Sequence, residues 1–166
     1  MKSRSVISAV LLGGLIAGTI DVGVAAAINE RNPVLILHVI AGGILGRASL
    51  QEGTPVALFG LLLQWGMSLV IAAIFVFAAR YLPMLRRHWL TAGILYGVPV
   101  YLVMNFVVLP LSAWHRFPAI TPYGAITNLL AMMLFGAIVS YFASEIRSTA
   151  SDDGPGASKF VPRDPG

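Results

Sequence analysis

The sequence predicts an all-α membrane protein, with four transmembrane helices and one short interfacial or re-entrant helix. Three observations predict it. Hydrophobic residues make up 57% of the 166 residues and charged residues 11%, against roughly 45–50% and about 25% in ordinary soluble domains. A soluble chain of this length could not hide that much apolar surface. The apolar residues gather in charge-free runs of the length a helix needs to cross lipid, about 20 residues. The basic residues flank these runs, as membrane-orienting residues do.

Each element follows in order. Ser5 to Asn29 contains a single charge, Asp21, and gives the first span over 5–28. Asn32-Pro33 then opens a second apolar stretch, with Asn placed as a helix cap and Pro at the first helical position. Pro33 to Gly46 is 14 residues, too short to cross lipid. The segment 33–47 is therefore expected as a short helix lying at the interface, with a dip back into the bundle from the outside as the alternative. Val56 to Ala79 is 24 residues without a charge and Trp89 to Pro110 is 22; they give spans over 56–79 and 89–110. Phe117 to Ser144 is 28 residues without a charge, and its span is expected to start near Tyr123, after the breakers Pro118 and Pro122. These elements form one membrane domain over 1–147. The tail 148–166, rich in Ser, Asp, Gly and Pro, has little to bury and is expected to be disordered on the cytoplasmic side.

Orientation rests on Lys and Arg. With the N-terminus inside, the cytoplasmic side holds Lys2, Arg4, Arg80, Arg86, Arg87, Arg147, Lys159 and Arg163, and the outer side Arg31, Arg47 and Arg116. Both termini are thus expected in the cytoplasm, and the bilayer is the first partner. Lys2 and Arg4 before an apolar run ending in Ala25-Ala26-Ala27 resemble a cleavable signal peptide. The run is too long for that, and Asp21 and Gly23 would fall just before the cleavage site. The net charge of +4 reads as topology, so no nucleic-acid partner is expected. With no Cys, disulfides, thiolate catalysis and Cys-ligated metals are excluded.

Polar residues inside spans are costly and usually face protein or water. Asp21, Gln64, Asn105 and Asn128 each fall in the outer third of a different span. Gly14, Gly18, Asp21 and Ala25 share one helical face, and Gly14 with Gly18 forms the small-xxx-small pattern that lets helices approach. Gly60, Gln64 and Ser68 share a face of the second span, and Gly97, Tyr101 and Asn105 a face of the third. This predicts an outward-facing polar cluster of Asp21, Gln64, Asn105 and Asn128, covered by the short segment carrying His38 and Arg47. Asp21 would bind a proton or cation, or pair with Arg47. The plainer reading is a set of interhelical hydrogen bonds that fix the bundle. A homodimer would use the Gly14/Gly18 or the Gly93/Gly97 face.

No motif points to a cofactor, a metal or a named reaction. His88 falls on the side opposite His38 and His115, Ser49 and Ser112 lack a G-x-S-x-G context, and H-E-x-x-H and Walker patterns are absent. Three stretches, ILHVIAGGILGR over 36–47, RYLPMLRRH over 80–88 and YLVMNFVVLPLS over 101–112, resemble the YagU-like group of small bacterial inner-membrane proteins. With the four spans, the similarity covers most of residues 5–145. It implies a bacterial inner-membrane location and a four-span fold, and carries over no catalytic residue. The expected function is non-enzymatic, a small transporter or channel component or a structural accessory factor. The alternative is a membrane enzyme acting on a lipid or quinone from the outer leaflet, with Asp21 or His38 moving a proton.

Overall fold

The computed structural model describes residues 5–51, 53–115 and 121–145. Lys2, Arg4, Arg116, Arg147 and the tail expected over 148–166 lie outside them. The described chain is helical throughout its elements: α1 Val6–Ile28, α2 Pro33–Leu45, α3 Thr54–Tyr81, α4 Pro83–Arg87, α5 Trp89–Leu111 and α6 Pro122–Ser144. Ser5 caps α1 by accepting from the Ser8 N–H, and Thr121 caps α6 by accepting from the Gly124 N–H, each at 3.1 Å. Asn32 caps α2 through the Val34 N–H at 2.9 Å, with Pro33 at the first position. The segment 80–88, between the spans expected over 56–79 and 89–110, contains the one-turn helix α4, opened by Pro83 with Arg86 and Arg87 in its last turn.

α1, α3, α5 and α6 run the length of the bundle, up and down in turn. The buried core joins α1, α3 and α6 through small side chains and two phenylalanines, Ala9, Ala17, Ala72, Phe75, Val76, Ala79, Phe135, Val139 and Ala143, and α5 adds the partly buried Ala92 and Tyr96 at its margin. Lipid supplies no hydrophobic drive between helices, so close backbone approach and dispersion hold them. The tightest seam joins α5 to α6. Gly93 and Gly97 face Gly136, Ser140 and Met132, and a Cβ at Gly93 would stand 2.6 Å from the Gly136 carbonyl oxygen. The Ser140 hydroxyl donates to the Trp89 carbonyl across this seam. Gly14 and Gly18 lie against Ser68 and Leu69 of α3 in the same manner. Both glycine faces expected to serve a homodimer therefore meet partners inside the chain, and a second copy would have to use another surface.

Among the described residues five helices are long and apolar enough to cross a membrane, the second being α2 with its 3-10 continuation, Pro33–Leu50. Its contacts set it apart from the other four. It leaves the C-terminal end of α1. At mid-helix, His38 Nε2 lies 3.3 Å from the Gly53 carbonyl oxygen, just before α3. Near its end, the Gly43 carbonyl accepts from the Ala113 N–H at 2.7 Å, just after α5. The C-terminal ends of α1 and α5 and the N-terminal end of α3 lie at one end of an alternating bundle, and α2 touches all three. It therefore caps that end and does not cross. Gly46, with φ +74°, turns the chain at its close, and Ser49 ties the turn back by donating to the His38 carbonyl at 3.0 Å. α2 also leans down the side of the bundle, because Leu37 packs on Gly60, six residues or about 9 Å into α3. Apart from His38 it has no polar face, which suits an inward dip better than an interfacial float.

That contact yields a local prediction. A Cβ at Gly60 would collide with the Leu37 carbonyl. Gly60→Val is expected to lift α2 at a cost of about 1–3 kcal/mol, with faster amide exchange over 33–51 and little change over α5 and α6. Unchanged exchange over 33–51 would refute the docking.

α5 carries Pro99 in its interior and Pro110 near its end. Proline clashes with the carbonyl four residues earlier, here Phe106. Over Met104–Val108 the helix widens to a π turn, in which the Leu109 N–H reaches the Met104 carbonyl. The wider turn gives the Pro110 ring room and places Asn105 on the bundle interior, where it is buried.

Candidate functional site

The site is built from one polar side chain on each long helix. Asp21 lies seven residues from Ile28, Gln64 ten from Thr54, Asn105 six from Leu111 and Asn128 six from Pro122. All four thus sit about 9–15 Å from the α2-capped end, at 1.5 Å per residue. The common level expected of them is present, and each finds a partner on another helix.

They form two pairs. Gln64 Nε2 donates to Asp21 Oδ2 at 2.9 Å and lies 3.3 Å from the Gly18 carbonyl oxygen. Gln64 is buried, at 6% exposure, so its amide fastens α3 to both the side chain and the backbone of α1. Asn128 Nδ2 donates to Asn105 Oδ1 at a longer 3.4 Å, while Asn105 Nδ2 donates to the Tyr101 carbonyl of its own helix at 2.9 Å. Thr127, next to Asn128, bonds back to the Tyr123 carbonyl at 2.8 Å.

Beside Asp21 and Gln64 is a cavity of about 20 Å³, walled by Met67, Ser68, Met104, Met132 and Phe135. That is room for about one water molecule. The four residues therefore make two interhelical contacts with a water-sized gap, and not one open pocket. His38 and Arg47 do not line the gap. His38 Nδ1 lies 2.8 Å from the Val34 carbonyl oxygen and its Nε2 faces Gly53, so the ring pins α2 to α3. Arg47 is exposed on the 3-10 turn, and Asp21 has Gln64 as its partner in place of the expected Arg47. Among the described residues no three His, Cys, Asp or Glu side chains are grouped to hold a metal ion.

Sequence reasoning missed a second fastener between the same helices. Trp65 Nε1 donates to Thr19 Oγ1 at 3.1 Å, and Thr19 donates to the Leu15 carbonyl at 2.8 Å. The signal was a tryptophan in mid-span, whose N–H needs an acceptor where water is absent. Trp114 is a parallel case: its Nε1 donates to the Val39 carbonyl at 3.1 Å, and Gly42 leaves space for its ring on α2.

Fold and polar contacts together define a multi-pass helical membrane protein whose intramembrane polar groups bond to one another across helix seams. Comparison of the chain with protein-family models, with curated proteins and with solved structures found no match.

Proposed function

We propose that the protein is a non-enzymatic accessory component of a bacterial inner membrane, with both termini cytoplasmic, and that its buried polar residues act as fasteners. The observation that carries this reading is the closed Asp21–Gln64 contact with its gap of about 20 Å³. A transport path needs a continuous wet route; Asp21 meets space for about one water, and the larger opening that Gln64 also lines is walled mainly by apolar side chains and does not reach Asp21. The Lys and Arg distribution supports the orientation, and the resemblance of 36–47, 80–88 and 101–112 to YagU-like proteins supports the location. The enzyme alternative has in its favour a sideways apolar opening beside α2, lined by Val39, Ile40 and Gly43. Its proton-transfer groups are poorly placed for that chemistry. Both ring nitrogens of His38 face backbone carbonyls, and Asp21 does not line the opening.

The test is reconstitution. Proteoliposomes carrying the full chain are expected to pass protons and potassium at the rate of empty liposomes, and Asp21→Asn to change nothing. A protein-dependent flux abolished by Asp21→Asn would overturn the fastener reading in favour of transport.

A further inference from the structure

α3 and α5 are antiparallel spans, yet an apolar trough lies between them, bridged where the Tyr96 ring packs on Phe75 with centroids 5.0 Å apart. It has three reaches of about 640, 510 and 640 Å³. The middle and α2-side reaches share Leu63, Met67, Met104 and Val108. The middle and α4-side reaches share Tyr96, whose hydroxyl donates to the Ile71 carbonyl at 2.9 Å and so spans the trough as a strut. α2 and Trp114 close one end. The other opens beside α4 and His88, where Arg80 and Arg87 are exposed at the close of α3 and of α4.

We propose that this trough is a binding site for an anionic phospholipid, with an acyl chain along the α3–α5 gap and the phosphate at Arg80, Arg87 and His88. Four observations select this occupant. The walls are long apolar side chains, and Leu62, Val70, Ile74, Leu95 and Val103 are each at least half exposed. A partner helix needs a stripe of small residues to approach; Gly14/Gly18, Gly60 and Gly93/Gly97 are all taken up inside the chain, and the small residues of the trough, Gly43, Gly66, Ala78 and Ala92, are scattered over three helices and form no stripe. Methionines 67, 84 and 104 line its three reaches, and their unbranched, adaptable side chains suit a tail of no fixed shape. No reach is lined by a charged residue; at the open α4-side mouth the exposed Arg87 adjoins the lining residue His88 and the exposed Arg80 follows the lining residue Ala78 by two, and exposed arginines near an anionic head group attract it electrostatically.

The inference goes beyond the fastener role and does not depend on it. Its test is native mass spectrometry of the full chain in a neutral detergent, with equal amounts of phosphatidylglycerol and phosphatidylcholine bearing the same acyl chains. One phosphatidylglycerol per chain is expected to be retained, favoured roughly 25-fold over phosphatidylcholine. The double variant R80Q/R87Q is expected to lose most of that preference. Gly66→Leu, which places a side chain in the middle reach where nothing lies within 4 Å of the added Cβ, is expected to lose retention of both lipids while keeping the wild-type helical signal. Equal retention of the two lipids, or none, overturns the proposal. Retention unchanged in Gly66→Leu but lost in R80Q/R87Q shows surface adsorption of head groups and overturns the trough. A dimer in the wild type that Gly66→Leu abolishes assigns the trough to a second copy and overturns the lipid.

Discussion

Gly97→Leu is expected to separate α5 from α6 and to cost about 3 kcal/mol or more, the upper range for overpacking a closed interior. The reason is the identity of the atoms met. A side chain at 97 would begin 2.5 Å from the Met132 carbonyl oxygen and 2.5 Å from the Met133 Cα. These are backbone atoms and cannot swing aside as a side chain can, so the helices must move apart along the whole seam. The Ser140–Trp89 bond and the Asn128–Asn105 bond cross the same seam and would be lost with it. Gly23→Leu is the control: nothing lies within 4 Å of a Cβ there, and a change within about 0.5 kcal/mol is expected. Unfolding by sodium dodecyl sulfate, followed by circular dichroism, separates the two. Equal midpoints for both variants would mean that the seam does not hold the bundle.

The second large effect is an asymmetry at Asp21. Removing Gln64, as Gln64→Leu, takes away the donor that the Asp21 carboxyl meets at 2.9 Å and leaves an acid in the interior at a cost of about 2.5–3.5 kcal/mol. Removing the acid, as Asp21→Leu, leaves a neutral amide 3.3 Å from the Gly18 carbonyl oxygen and is expected to cost about 0.6–1.7 kcal/mol, the measured span for interhelical hydrogen bonds. The double variant should then be more stable than Gln64→Leu alone, because the stranded acid is gone. A double-mutant cycle in the same detergent titration checks this. Simple additivity would show that the two side chains do not depend on each other.

Much of this architecture was legible in the chain because lipid imposes a length rule. Three charge-free runs and one with the single charge Asp21 predict spans over 56–79, 89–110, 123–144 and 5–28, and the helices observed are Thr54–Tyr81, Trp89–Leu111, Pro122–Ser144 and Val6–Ile28. Asn32-Pro33 marked the start of α2, since a cap and a proline carry their own geometry. The level of Asp21, Gln64, Asn105 and Asn128 followed from counting residues along rods of known rise. Pairing was not legible. A Gly-xxx-Gly face states that something approaches closely without saying what, and here α6 fits Gly93 and Gly97, and α3 fits Gly14 and Gly18, where a second copy was expected. The π turn around Asn105 depends on how the helix relieves Pro110. The separation of α3 from α5 is a relation between two helices, and neither sequence alone contains it.

The position of α2 has a consequence for how the chain is made. Its contacts with α3 form as soon as that helix is made, but its partner Trp114 follows Val39 by 75 residues, so its docking is complete only after α5. During that interval an apolar segment of 18 residues, Pro33–Leu50, is long and apolar enough to pass for a crossing helix by length and composition. Were it threaded through, each later helix would be inverted and the arginines at 80, 86 and 87 would move to the opposite face of the bilayer.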